Sequence, residues 1–275
     1  MPLSIALPES VPMVKTINLA QEVLSDTCMA AHGFPQYRVP ITQNTAGNAP
    51  NYADAPFPVV PVSQARLYGF HPSPTVAREQ RQLADANTAI ADYLHNQSAA
   101  WQSAFLRTLY GAASTRGAVR VGSYVMTYPK SGCIAWSDEQ LYGDTRTLVV
   151  LRTKVQSLLL QSVELASSAS LYQGKLVAWR HCASRRGVDY SNPEAAAVAA
   201  NTAGPKASRH EREIATVVSI CIEDSGLYRS WVEVEAKEQQ YLARRSADTV
   251  NGYMMALEQE LRRARSIVAH GTGRS

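Results

Sequence analysis

The chain has 275 residues and a formal net charge of +4, set by 27 Lys and Arg against 23 acids, with 45% apolar and 18% charged residues. That balance excludes overall disorder, and the positive charge is too small and too dispersed for a phosphate-neutralising face, so no nucleic-acid partner is expected. No apolar run approaches the roughly 20 residues of a membrane-spanning helix, and the start "MPLSIALPESVPMVK" lacks the basic-then-apolar order of a secretory signal.

After an N-terminal extension over 1–12, residues 13–32 carry Ile17, Ala20, Leu24 and Ala31 at helical spacing, and Gly33 supplies a stop. Eight of the fourteen prolines then fall between Pro35 and Pro74. Proline removes backbone donors and disfavours helix before it, so 35–74 reads as a long irregular loop. Helical pattern resumes at Thr75 as N-cap and runs to Leu109 before Gly111. Residues 114–132 alternate around Gly122 as a short hairpin. A long helix is expected over 145–183, a short one opening at Ser191 or Asn192 with Pro193 in its first turn, and another opened by a Ser208/Glu211 capping box. The last helix spans about 228–270, and the tail 271–275 frays.

The expected fold class is mostly α: an elongated bundle of long antiparallel helices with one Pro-rich loop, one short β-hairpin and two disulfides. Residues 13–270 read as a single helical domain, with an internal duplication of 13–143 and 144–270 suggested by the cysteines. Cys28 and Cys182 each lie at a helix end five residues before a glycine, each followed by a tyrosine and later by a second cysteine. The parsimonious pairing is Cys28 with Cys133 and Cys182 with Cys221, although four cysteines permit three connectivities and four buried thiols are the alternative. Disulfides would imply an oxidising space outside the cytoplasm. No C-x-x-C pair is present, and adjacent His181 and Cys182 diverge by about 100° on a helix, so no metal and no cofactor is expected. A nucleophilic Cys182 would need a base and an oxyanion site that the sequence does not identify.

The segments "LSDTCMAAHGF", "ARLYGFHP", "SGCIAWSDEQLYGD", "LVAWRHCASRRGVDYSNPEAA" and "REIATVVSICIEDSGLYRSWVEVEAKEQQYLARR" together resemble a group of exported, often lipid-anchored, uncharacterised proteins of high-GC Gram-positive bacteria. The resemblance covers nearly the whole chain and implies export and two disulfides. It implies no catalytic residues, and it suggests a loose association with envelope transport and peptidoglycan-binding components. The chain departs from the pattern at Ala183 and Val188, and Asp26 and Thr27 before Cys28 exclude a lipidation site there.

Two binding regions stand out. Tyr37, Tyr52, Tyr68 and Phe70 with His71 place aromatic surface on a proline-stiffened loop, where they either contact a partner or pin the loop to the helices. Arg180, His181, Arg185, Arg186, Lys206, Arg209, His210 and Arg212 gather around the second cysteine pair, either as an anion-binding patch or as a solvated face balanced by Glu211, Glu213 and Glu223. Trp231, Glu235 and Glu238 share a helical face, read as core Trp beside surface Glu, and Asn96-Gln97-Ser98 is a sequon expected within a helix. The expected function is therefore a non-catalytic exported envelope protein binding a polymer, peptide or protein partner. The alternatives are an envelope hydrolase with unidentified residues and a cytosolic helical interaction protein with reduced cysteines.

Overall fold

The computed structural model describes residues 11–34, 55–122, 124–200, 204 and 206–271. Tyr37, Tyr52 and the rest of the first half of the proline-rich segment (residues 35–54), residues 1–10 and residues 272–275 lie outside them. The described chain is mostly helical. In order it forms α1 (Val11–Ala31), α2 (Val62–Tyr68), α3 (Pro74–His95), α4 (Ala99–Tyr110), a 3-10 turn (Ala113–Thr115), β1 (Arg116–Val121), β2 (Tyr124–Pro129), α5 (Gly132–Tyr142), α6 (Thr145–Ser168), α7 (Ser170–Ser184), α8 (Pro193–Ala200), α9 (Arg209–Ser225), α10 (Leu227–Arg245) and α11 (Ala247–Gly271). The expected hairpin is present, antiparallel with Arg116 opposite Pro129 and Val121 opposite Tyr124.

The expected long helices are interrupted where polar side chains compete for backbone groups. The 145–183 element breaks at Ala169, which is extended at φ −67°, ψ 136°. Ser167 Oγ donates to Val163 O and Ser168 Oγ to Leu165 O, and such back-bonding weakens a helix end. The 75–109 element breaks at Ser98, whose hydroxyl accepts Trp101 N–H at 3.2 Å as the N-cap of α4. The sequon therefore lies in an interhelical turn rather than within a helix. The 228–270 element breaks at Ser246. Within the segment read as irregular, residues 62–68 are helical, starting after Pro61 and stopping at Gly69, which holds φ +63°. Val62 follows a proline rather than preceding one, so nothing disfavours helix there.

Two compact units result, each assembled from separate stretches of chain. Unit 1 contains residues 55–81 and 159–242; unit 2 contains 11–34, 82–158 and 243–271. The unit 1 core centres on Trp179 and Trp231, both fully buried, with Tyr172 edge-on to Trp231 at 5.2 Å and stacked on Phe57 at 6.4 Å. Burying an indole of roughly 200 Å² contributes about 5 kcal/mol, so these two side chains dominate that core. Trp179 Nε1–H also finds an acceptor, Val218 O. In unit 2, α1 packs along α11 and α5, burying Ile17, Ala20, Leu141 and Ala264. A second cluster forms around Met29, Phe105, Leu109 and Cys133, with Phe34 edge-on to Trp101 and Phe105.

Candidate functional site

Both cysteine pairs are disulfides: Cys28 with Cys133 in unit 2 and Cys182 with Cys221 in unit 1, each with a Cα–Cα separation of 5.6 Å. The repeated Cys-x4-Gly signature corresponds to one local device used twice. Gly33 (φ +91°) and Gly187 (φ +79°) take the left-handed conformation after the helix, where a side chain would be strained. The next residue then donates back: Phe34 N–H to Met29 O at 2.9 Å, and Val188 N–H to Ala183 O at 3.0 Å. The chain is thus turned back over the helix end beside each cysteine, and Phe34 and Val188 enter the adjoining cores.

The Cys182–Cys221 bridge is enclosed, with the two residues 5% and 0% exposed. Arg186 covers it: Nη1 lies 2.9 Å from Cys182 Sγ, and Nη2 pairs with Asp224 Oδ2 at 3.2 Å. Of the other basic residues expected around this bridge, Arg180, His181, Arg185 and His210 are exposed, Arg209 pairs with Glu213 at 2.8 Å, and Arg212 donates to Ala207 O. Glu211 is not part of a solvated face. It is fully buried, and its Oε1 accepts Phe70 N–H at 3.0 Å while Oε2 lies 3.3 Å from His71 Nε2. Ser208 Oγ accepts Glu211 N–H, the expected cap of α9. Phe70 packs against the unit 1 core and Tyr68 is half-buried, so the described aromatic residues of the proline-rich segment hold it onto α9. Glu235 is also buried, accepting Gln239 Nε2–H at 3.1 Å.

Next to this anchored segment, unit 1 opens into a cleft of about 640 Å³. One wall is the chain at Val59–Pro61. The lining also carries Lys175 from α7 and Glu223, Asp224, Tyr228 and Arg229 around the turn at Gly226. Asp224 joins the cleft to the Arg186 cover of the disulfide.

Unit 2 contains a buried polar layer that the sequence reading missed. Gln21 Nε2–H donates to Asp138 Oδ1 at 2.7 Å, Ser25 and Ser137 hydroxyls meet at 3.2 Å, Arg152 Nε–H points at Tyr253 Oη, and Glu260 is 1% exposed. Burial pushes the Asp138 carboxyl up to about 6, against the opposing pull of Gln21 and Arg152. Burial, reinforced by Asp26, pushes Glu22 up to about 7. Burial and then Glu260 push the Tyr142 phenol up as well. A separate cleft of about 490 Å³ in unit 2 is lined by Cys28, Cys133, His32, Arg107 and Trp136 among others.

No family model, curated protein or solved structure matches this chain. Cys28, His32 and Cys133 bring donor atoms within 4.8 Å of one another. In the disulfide form the two sulfurs are bonded to each other and offer no thiolate to a metal. No described helix is long and apolar enough to cross a membrane.

Proposed function

We propose that the protein is a non-catalytic, exported cell-envelope protein that binds an envelope polymer, peptide or protein partner in the cleft of unit 1. The observation that carries this reading is the cleft itself. Its lining comes from Val59–Pro61 of the Glu211-anchored segment, from Lys175 of α7 and from α9 and α10, with α7 and α9 tied by the Cys182–Cys221 bridge. A rigid wall with charges of both signs beside an open chain segment suits an extended partner offering backbone hydrogen-bonding groups and charges. Two disulfides with no free cysteine support an oxidising compartment. The alternative of an envelope hydrolase would draw on Glu223 and Asp224 in the same cleft, but Asp224 is already engaged by Arg186.

The test is fractionation of the native cells followed by cross-linking to purified cell-wall sacculi and to total envelope protein. The wild type is expected outside the cytoplasm, and Lys175→Glu/Arg229→Glu is expected to lose at least tenfold of the recovered cross-links. Recovery in the cytoplasm with reduced thiols, or undiminished cross-linking of the variant, contradicts the reading.

A further inference from the structure

The two disulfides sit in unlike surroundings. Cys182 and Cys221 are both enclosed, and the unit 1 cleft is lined by other residues. Cys28 is only half-buried, and both Cys28 and Cys133 line the unit 2 cleft, which also presents an imidazole, a guanidinium and an exposed indole. We infer that the Cys28–Cys133 bond is a thiol–disulfide exchange site, open to the thiols of a partner, while Cys182–Cys221 is structural. This inference concerns unit 2 and stands apart from the ligand proposed for unit 1.

The geometry assigns the two sulfurs different parts. Cys133 is 1% exposed, so an incoming thiolate reaches Cys28 Sγ. Cys133 is then the leaving group. It is the second residue of α5, after the Ser131 cap and Gly132, so its sulfur departs beside backbone N–H groups that the helix does not use. Lowering the thiolate energy of the leaving sulfur speeds exchange. Its position is rigidly set: Gly132 (φ +86°) packs directly on the Gly111 backbone, where a Cβ would collide with Gly111 N. His32 supplies the proton acceptor. Its Nδ1 is 2.8 Å from Cys28 O, a group that can only accept, so Nδ1 carries the hydrogen and Nε2 holds the free lone pair. That same Nδ1 is the ring atom 3.8 Å from Cys28 Sγ, and the exposed ring lines the cleft.

The reaction balances with a dithiol as reductant. One thiol gives its proton to His32 Nε2; its sulfur bonds to Cys28 Sγ, and the Cys28–Cys133 bond breaks with its electron pair on Cys133. The second thiol, once deprotonated, attacks the partner sulfur of the mixed disulfide and releases Cys28 as thiolate. Both cysteines then take up the two protons. Two electrons pass to the protein, and the partner leaves as a disulfide.

The test uses the native full chain with limiting dithiothreitol at pH 7, acid quenching, alkylation and peptide mapping over time. The Cys28–Cys133 bond is expected to open at least tenfold faster than Cys182–Cys221, with the helical circular dichroism signal retained, and His32→Ala is expected to slow that opening at least threefold. Equal opening of both bonds, Cys182–Cys221 opening first, or opening only with loss of helix overturns the inference. An unchanged rate in His32→Ala overturns the part given to His32. In Cys133→Ser treated with oxidised glutathione, an adduct is expected on Cys28, and in Cys28→Ser none on Cys133; equal labelling of the two overturns their assignment.

Discussion

Glu211 Oε2 lies 3.3 Å from His71 Nε2 across 140 residues of sequence, with the Glu211 side chain fully buried and the neighbouring Phe70 N–H donated to its other oxygen. A buried carboxylate that accepts a backbone N–H is costly to truncate, because that donor loses its partner in a site closed to water. Glu211→Ala is expected to lower unfolding free energy by about 3 kcal/mol in urea titration, and exposed Glu213→Ala by less than about 0.5 kcal/mol. Gly69→Ala is a second probe of the same contact. Its Cβ would stand 2.7 Å from Glu211 Oε1 and 2.9 Å from Ala207 Cβ at φ +63°, and a loss of about 2 kcal/mol is expected.

Glu22 and Asp138 set an unusual pH response in unit 2. Both carboxyls titrate higher in the folded protein than in the unfolded chain, to about 7 and about 6 respectively, with burial the leading cause for each. Between the ordinary carboxylate range and those values the native state binds more protons than the unfolded state, so stability falls as pH rises through that window. Glu22→Gln and Asp138→Asn remove the ionisation and are expected to flatten the fall. Thermal midpoints of wild type and each variant at pH 4.5 and 7.5 check this: the variants gain relative to wild type at pH 7.5 and not at pH 4.5.

The two disulfides close stretches of 105 and 39 residues. On the chain-entropy account their removal costs about 5 and about 4 kcal/mol respectively, by constraining the unfolded chain. Paired Cys→Ala variants are expected to unfold at lower urea in that order, with the m-value reduced in wild type relative to either variant because the cross-linked unfolded chain is more compact.

The unit 1 cleft carries the binding prediction. Tyr228 is 39% exposed in its wall beside Arg229. Tyr228→Ala is expected to weaken partner capture about tenfold or more while shifting stability by under about 0.5 kcal/mol, since it leaves a partly exposed site. Equilibrium unfolding run beside the capture assay separates the two effects.

The apolar spacing that predicts helices is visible in α1, α9 and α11, because their buried faces repeat every three to four residues. Where the reading falls short, the causes are specific. Ser98 opens a new helix by capping it, Ser167 and Ser168 bond back to carbonyls at the end of α6, and a turn at Ser246 parts α10 from α11, local features that apolar periodicity does not register. The division of the chain into two interleaved units depends on contacts between distant stretches. Glu211 and Glu260 were legible in principle. Glu211 precedes Ile214 and Val218 at helical spacing, and Glu260 falls between Leu257 and Ala264, so each sits on an apolar stripe where a charge implies a buried partner. The cysteine device was legible because glycine has a distinct role at a helix end: the same spacing demanded the same positive φ twice.

The oxidation state of the native cysteines decides most directly between a disulfide-stapled protein and one with reduced thiols. Protein taken freshly from its own cells, alkylated with and without prior reduction and then peptide-mapped, is expected to show Cys182 cross-linked to Cys221 in every molecule and Cys28 cross-linked to Cys133 in most. Cys182 and Cys221 alkylated without reduction would contradict the disulfide staple and the extracytoplasmic location proposed from it.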